Sequence, residues 1–141
     1  MTYLLDTNAV SALRRKDRAE KRVLDWFERA AGAAFFVSVL TMMEIETGIR
    51  RLERVDARQG SVLRAWKDGP LRTQFRDRVL NVDIEIAECC AALHVPDPKP
   101  EIDALIAATA IVRRLTLVTR NERDFADIPV ALVNPWAAPR D

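Results

Sequence analysis

Glycine is scarce in this 141-residue chain, at 4 residues, and histidine scarcer still, at 1. So few glycines leave no Gly-rich loop to wrap a phosphate, which disfavours a nucleotide-binding enzyme. The single His94 and the adjacent Cys89 and Cys90 offer neither metal-ligand spacing nor a nucleophile–imidazole pair, and neighbouring cysteines on one helix are poorly placed to bridge each other. The cysteines are expected as small core residues and His94 as a structural side chain. No apolar run approaches the roughly eighteen residues of a membrane span, and the N-terminus lacks the basic start and cleavage site of a signal peptide. The cytoplasm is the expected location, with no membrane partner. Aromatic residues make up only 6%; Trp26, Trp66 and Trp136 are expected as core or interface anchors, because no aromatic pair stands at the strand spacing that stacks bases. A net charge of +1 argues against holding nucleic acid by bulk electrostatics.

What the chain does have is an apolar share of 49% and a charged share of 30%, the proportions of an ordinary globular protein. A single domain over 1–141 with its own core is expected. The run Tyr3 to Leu5 reads as a buried strand, and Asn8 to Arg15 and Ala19 to Ala31 as amphipathic helices. "FFVSVL" (35–40) reads as a second interior strand, with a helix beginning at Thr41. A charged helical arm over about 54–78 follows, with breaks expected at Gly60 and at Gly69-Pro70. "RVLNVD" is a brief strand, and Asp83 caps a helix running to His94. After the loop "PDPKP" come a helix from Glu101 to Arg114, a strand "LTLVT", a short helical piece "NERDF" and a last strand "VALV". Strands joined by helical crossovers predict an α/β three-layer sandwich with a mainly parallel central sheet flanked by helices.

Four acids fall at strand exits or helix entrances: Asp6, Glu44, Asp103 and Asp124. In a parallel sheet the carboxyl ends of the strands and the helices that start there share one rim, where ligands bind. Asp103 joins the other three only if the helix from Glu101 starts at that rim. Each acid also has a purely structural reading. "TMME" (41–44) matches a capping box, with Thr41 as cap and Glu44 reaching back; Asp6 suits an N-cap, Asp103 the positive end of a helix dipole and Asp124 a turn. Together, however, converging carboxylates repel and need a cation or a shared proton. An all-oxygen donor set favours Mg²⁺, or Mn²⁺, over Zn²⁺, and such ions support phosphodiester hydrolysis.

"YLLDTN", "TMMEIETG", "EIDALIAATA" and "TRNERDF", in that order and followed by "VALVNPW", resemble the motifs of PIN-domain ribonucleases, in particular the VapC-type toxins of toxin–antitoxin pairs. The resemblance spans almost the whole chain and is least specific over the arm. It implies a metal-dependent ribonuclease whose catalytic residues are Asp6, Glu44, Asp103 and Asp124, with Asp6 and Asp103 as the principal metal ligands and Thr119 and Asn121 orienting them. Asn121 stands where some relatives carry an acid, which favours one metal position over two. Thr7 or Asn8 would then inherit the capping role. The resemblance further implies an RNA substrate, a cognate VapB-like antitoxin that places an arginine among the carboxylates, and a homodimer. Leu63, Trp66, Leu71 and Phe75 of the arm are a candidate antitoxin surface or else part of the core, and Arg50 and Arg120 are candidates to steer the RNA backbone. Two other readings fit the acids: a small-molecule phosphohydrolase, although "DTN" lacks the second Asp such enzymes use, and a non-catalytic RNA- or protein-binding module on the same fold.

Overall fold

The structure, a computed structural model, describes residues 1–138. Five strands, β1 (Thr2–Leu5), β2 (Ala34–Ser38), β3 (Val79–Leu80), β4 (Thr116–Val118) and β5 (Leu132–Val133), form one sheet in the order β3-β2-β1-β4-β5. Every neighbouring pair is parallel. Strand β1 lies in the middle, and alternation along it divides the core into two faces. Tyr3 and Leu5 join Val10, Leu71 and Phe75 on one side, while Leu4 joins Ile106, Ala107 and Ala110 on the other. Helices therefore cover both faces, as the expected sandwich requires. Trp26 anchors the first face, with its ring 5.1 Å from both Tyr3 and Phe27.

On that face lie α1 (Thr7–Arg14) and α2 (Lys21–Arg29), while the opposite face carries α6 (Ile84–Leu93) and α7 (Glu101–Arg113). Asp83 caps α6 as expected, accepting the Ile86 amide at 3.0 Å. Cys90 is buried between α6 and α7, so the reading of it as a core residue holds. His94 follows the end of α6, where its Nδ1 accepts the Lys99 amide at 3.0 Å.

The middle of the chain departs from the sequence reading. Helix α3 (Val39–Val55) starts two residues earlier than expected, because Ser38, embedded in the apolar run, turns its side chain to accept the Leu40 amide at 3.0 Å. Thr41 is consequently buried inside the helix rather than capping it, and its hydroxyl finds no partner among the described residues. The next break is at Asp56, which caps α4 (Ala57–Trp66) by accepting the Gln59 amide at 3.1 Å. Gly60, expected to break a helix, sits within α4 at its closest approach to α3: a Cβ there would lie 2.6 Å from Glu53 Cγ and 2.8 Å from Glu53 Cα. Gly69 and Pro70 fall in a widened π-type turn (Lys67–Leu71) leading into the short α5 (Arg72–Gln74). Such a turn accommodates the proline's missing amide and its ring, which a regular α-helix would not.

Two salt-bridged acids tie α3 to α4. Glu46 meets Arg64 and Arg50 at 2.6 Å and Lys67 at 2.9 Å, and Glu53 meets Arg64 at 2.9 Å. Arg64, Lys67 and Arg50, in that order of effect, hold the Glu46 carboxyl far below its ordinary range. Arg50 is thus paired within its own helix while its side chain remains exposed. Leu71 and Phe75 are 1% exposed and belong to the core, so two of the four side chains expected as a candidate docking surface are inaccessible; Leu63 and Trp66 are half-buried.

Candidate active site

Strand order reverses at β1, which has β2 on one side and β4 on the other, and such a switch opens a crevice at the carboxyl ends of the strands. The register brings those ends level: Leu5 pairs with both Val37 and Val118. The next residue on β1 is Asp6, whose amide donates to the Val118 carbonyl at 3.1 Å, and the next on β4 is Thr119. Both are buried. Helix α7 leads back into the start of β4, so its first turn, carrying Asp103, lies at this same rim. The condition attached to Asp103 is met.

Asp6, Glu44, Asp103 and Asp124 all line one small cavity of ≈ 110 Å³, together with Thr7, Asn8, Thr119 and Asn121. Asp6 has an extended backbone and its Oδ1 accepts the Ala9 amide at 2.9 Å, so it caps α1 while facing the cavity. The capping role therefore does not pass to Thr7 or Asn8. Thr7 is instead the first helical residue, and its hydroxyl donates to Glu44 Oε1 at 2.8 Å. Glu44, displaced into the second turn by the early start of α3, forms no capping box. Sequence periodicity gave no signal for this Thr7–Glu44 contact, which depends on how α1 and α3 pack. Asp124 lies in a 3-10 turn (Glu122–Phe125) whose geometry is fixed by its amide donating to the Asn121 carbonyl at 3.1 Å. Thr119 accepts the Asn121 amide at 3.0 Å and also hydrogen-bonds Asp6.

The electrostatics are those of crowded acids. Burial pushes the Asp6 carboxyl up, and the Glu44 charge adds to that; hydrogen bonds from Thr119, Ala9 and Asn8 oppose it. Asp103 is raised first by desolvation and then by Asp124, Glu44 and Asp6, so it senses all three of the others. Among the described residues none of the four carboxylates forms an ion pair. An all-oxygen donor set without an internal cation fits a hard divalent ion. The cavity's volume is that of a few water molecules, at about 30 Å³ each in the liquid, which suits a hydrated ion and is too small for a nucleotide.

A second set of ligand-type atoms, from Cys90, His94 and Glu101, lies within 4.8 Å of one another. It is unlike a metal centre. His94 Nδ1 already accepts the Lys99 amide, which puts the proton of the neutral ring on Nε2, the nitrogen facing Cys90 Sγ at 3.6 Å and Glu101 at 3.5 Å. Burial also pushes the Cys90 thiol up, away from the thiolate that a metal needs. The structural reading of His94 agrees with this geometry.

Comparison with known proteins accords with the rim. The family model described as PIN domain matches residues 3–131. The plasmid stability protein StbB of Pseudomonas syringae pv. tomato is 33% identical, over 96% of this chain and 99% of its own. Ribonuclease VapC14 of Mycobacterium tuberculosis is 42% identical over 58% of this chain and 71% of its own. Toxin FitB of Neisseria gonorrhoeae is 30% identical over 94% of this chain and 97% of its own, and the crystal structure of FitAcB from that organism superposes with a TM-score of 0.86 at 28% identity, covering 98% of this chain and 100% of that one. A parallel sheet whose order reverses above a rim of acids and a family match over nearly the whole chain agree, and the chain belongs to the PIN domain family.

Proposed function

We propose that this protein is a divalent-metal-dependent endoribonuclease that acts as the toxin of a toxin–antitoxin pair. The observation that carries the reading is the convergence of four carboxylates, without a cationic partner, in one cavity at the strand switch. Relatives named ribonuclease and toxin support it, as does a solved neighbour at 29% identity described as a toxin–antitoxin complex. The small cavity volume of ≈ 110 Å³ favours a polymer lying across the rim over a small phosphate ester enclosed within it.

In this reading Asp6 and Asp103 would hold the ion, Mg²⁺ or Mn²⁺. When bound, a divalent ion lowers the pKa of an attacking water and offsets charge on the phosphate oxygens. Glu44, steadied by the Thr7 hydroxyl, or Asp124 would orient the attacking water and take one proton from it. Thr119 holds the Asp6 carboxylate in place. Asn121 contributes no charge, in keeping with a single metal position. A VapB-like antitoxin would silence the site by placing a guanidinium among the four acids, where it replaces the ion's charge. The reading assigns the protein to the cytoplasm, where RNA and antitoxin are available; no described helix is long and apolar enough to cross a membrane.

Asp103→Asn tests the chemistry, because Asp103 is only half-buried and the substitution leaves its side-chain shape unchanged. Cleavage of single-stranded RNA in Mg²⁺ is expected to fall by about a hundredfold or more, the size of effect seen when acid–base or metal-site groups are lost. Cleavage at the wild-type rate would overturn the proposal.

A further inference from the structure

The acid cavity uses neither the "NPW" run nor the basic residues beyond the end of α1, yet the fold brings them together. An open groove of ≈ 330 Å³ is lined by Arg15, Arg18, Arg120, Trp136, Asn8 and Ser11. Asn8 also lines the acid cavity, so the two are adjacent. Arg120 precedes Asn121, which lines that cavity as well. The three arginines and the tryptophan come from three separate stretches of chain.

Helix stability accounts for only part of this charge. Cations favour the last turn of a helix, which covers Arg14 and Arg15, but Arg18 lies beyond that turn. Arg18 is exposed and forms no ion pair among the described residues. The partners of the other two arginines are distant: Arg15 lies 3.7 Å from Asp17, and Arg120 lies 3.9 Å from Glu20. Contacts of that length between exposed groups contribute little and leave the guanidinium donors available.

The aromatic side of the groove is built rather than incidental. Asn134 donates to the Arg120 carbonyl at 3.2 Å and accepts the Trp136 amide at 2.9 Å. Arg22 donates to the Trp136 carbonyl at 3.1 Å. The Arg120 guanidinium lies 6.0 Å from the centroid of the indole, within cation–π range. The half-buried Trp136 is therefore held at the groove, beside an arginine, with its backbone fixed on both sides. Sequence spacing shows no second aromatic beside Trp136; the planar group the fold sets next to it is the Arg120 guanidinium.

We infer that this groove is the subsite for the stretch of single-stranded RNA adjoining the scissile phosphate, with Arg15 and Arg18 on its phosphates and the Arg120–Trp136 pair as a stacking platform for a base. The inference rests on the ribonuclease reading. Four acids repel a polyanion, so a cationic surface must hold the strand next to them, and this groove adjoins the cavity at Asn8. Its volume lies at the lower end of the roughly 300–1,000 Å³ range of small-ligand sites, enough for one nucleotide unit. Arginine and aromatic side chains together are the usual means of holding single strands without reading sequence.

The test measures binding of a short, fluorescently labelled single-stranded RNA to the Asp6→Asn protein across a salt series. Combining Arg15→Ala with Arg18→Ala is expected to weaken binding and to lower the slope of log affinity against log salt by about 1.4, at about 0.7 per lost phosphate contact on a single strand. Trp136→Ala is expected to weaken binding roughly fivefold or more with little change in slope, and Trp136→Phe to restore most of it. Substituting the exposed Arg54 and Arg58 in the same way serves as a control and leaves both quantities at the parent values. An unchanged affinity and slope in the double arginine variant overturns the inference. So does retention of RNA binding with loss of binding to an acidic peptide, which would assign the groove to a protein partner. Binding is read on a hydrolysis-disabled chain, so failure of the ribonuclease reading appears separately, as undiminished cleavage by Asp103→Asn.

Discussion

Asp6 accepts the Ala9 amide and at the same time lines a cavity with three other acids, so substitutions at this one position separate the two roles. Asparagine caps a helix about as well as aspartate, whereas alanine costs about 1 kcal/mol. In metal-free buffer Asp6→Asn is therefore expected to be at least as stable as the wild type, and Asp6→Ala less stable than Asp6→Asn by about 1 kcal/mol in denaturant melts. Equal melts for the two variants would mean that the cap contributes nothing. The "DTN" run after β1 makes both roles legible, but as alternatives. A carboxylate has two oxygens and several lone pairs, so the roles coexist, and only the placement of Glu44, Asp103 and Asp124 reveals it.

At the level of the helices, sequence pattern succeeds where polar punctuation is unambiguous and fails where one residue type has two meanings. Asp83 before "IEIAECC" reads as a cap and is one. Ser38 reads as part of an apolar strand because a buried strand end and a buried helix start look alike by periodicity. Gly60 reads as a breaker, although its lack of a side chain lets two helices touch. Gly60→Ala tests that distinction. In an isolated helix alanine would gain about 1 kcal/mol over glycine; here its Cβ would meet Glu53 Cα and N at 2.8 and 3.0 Å, backbone atoms that cannot give way without parting α3 from α4. Set against the usual overpacking cost of about 1–3 kcal/mol, that gain leaves an expected net loss of up to about 2 kcal/mol, read as a lower midpoint in urea. A gain in stability would return Gly60 to the role of an ordinary helix residue.

Over the whole molecule, the parallel sandwich was legible from the alternation of strands and helices, while the strand order was not, since pairing partners far apart in the chain leave no mark on local pattern. Convergence of the acids depends on that order. One consequence is a pH dependence shared by the assembled site. Folding raises the carboxyls of Asp6 and Asp103 above the ordinary 3.8, so the native state binds more protons than the unfolded chain, and stability falls as pH rises from about 3.8 through the raised values. In the absence of metal, the thermal midpoint of the wild type is expected to decline relative to Asp103→Asn between pH 4 and pH 7. Mg²⁺ or Mn²⁺ at pH 7 is expected to reverse the decline by binding the native state, with about 2.7 kcal/mol at a hundred times the dissociation constant. A wild-type midpoint indifferent to both pH and ion would mean that the acids do not act as a unit. The central strand β1 is made long before its partner β4, so on the ribosome Asp6 emerges well ahead of Asp103 and Asp124. A chain still being synthesised thus has no assembled cavity until the stretch that carries Asp103 and Asp124 has followed Asp6 out of the ribosome.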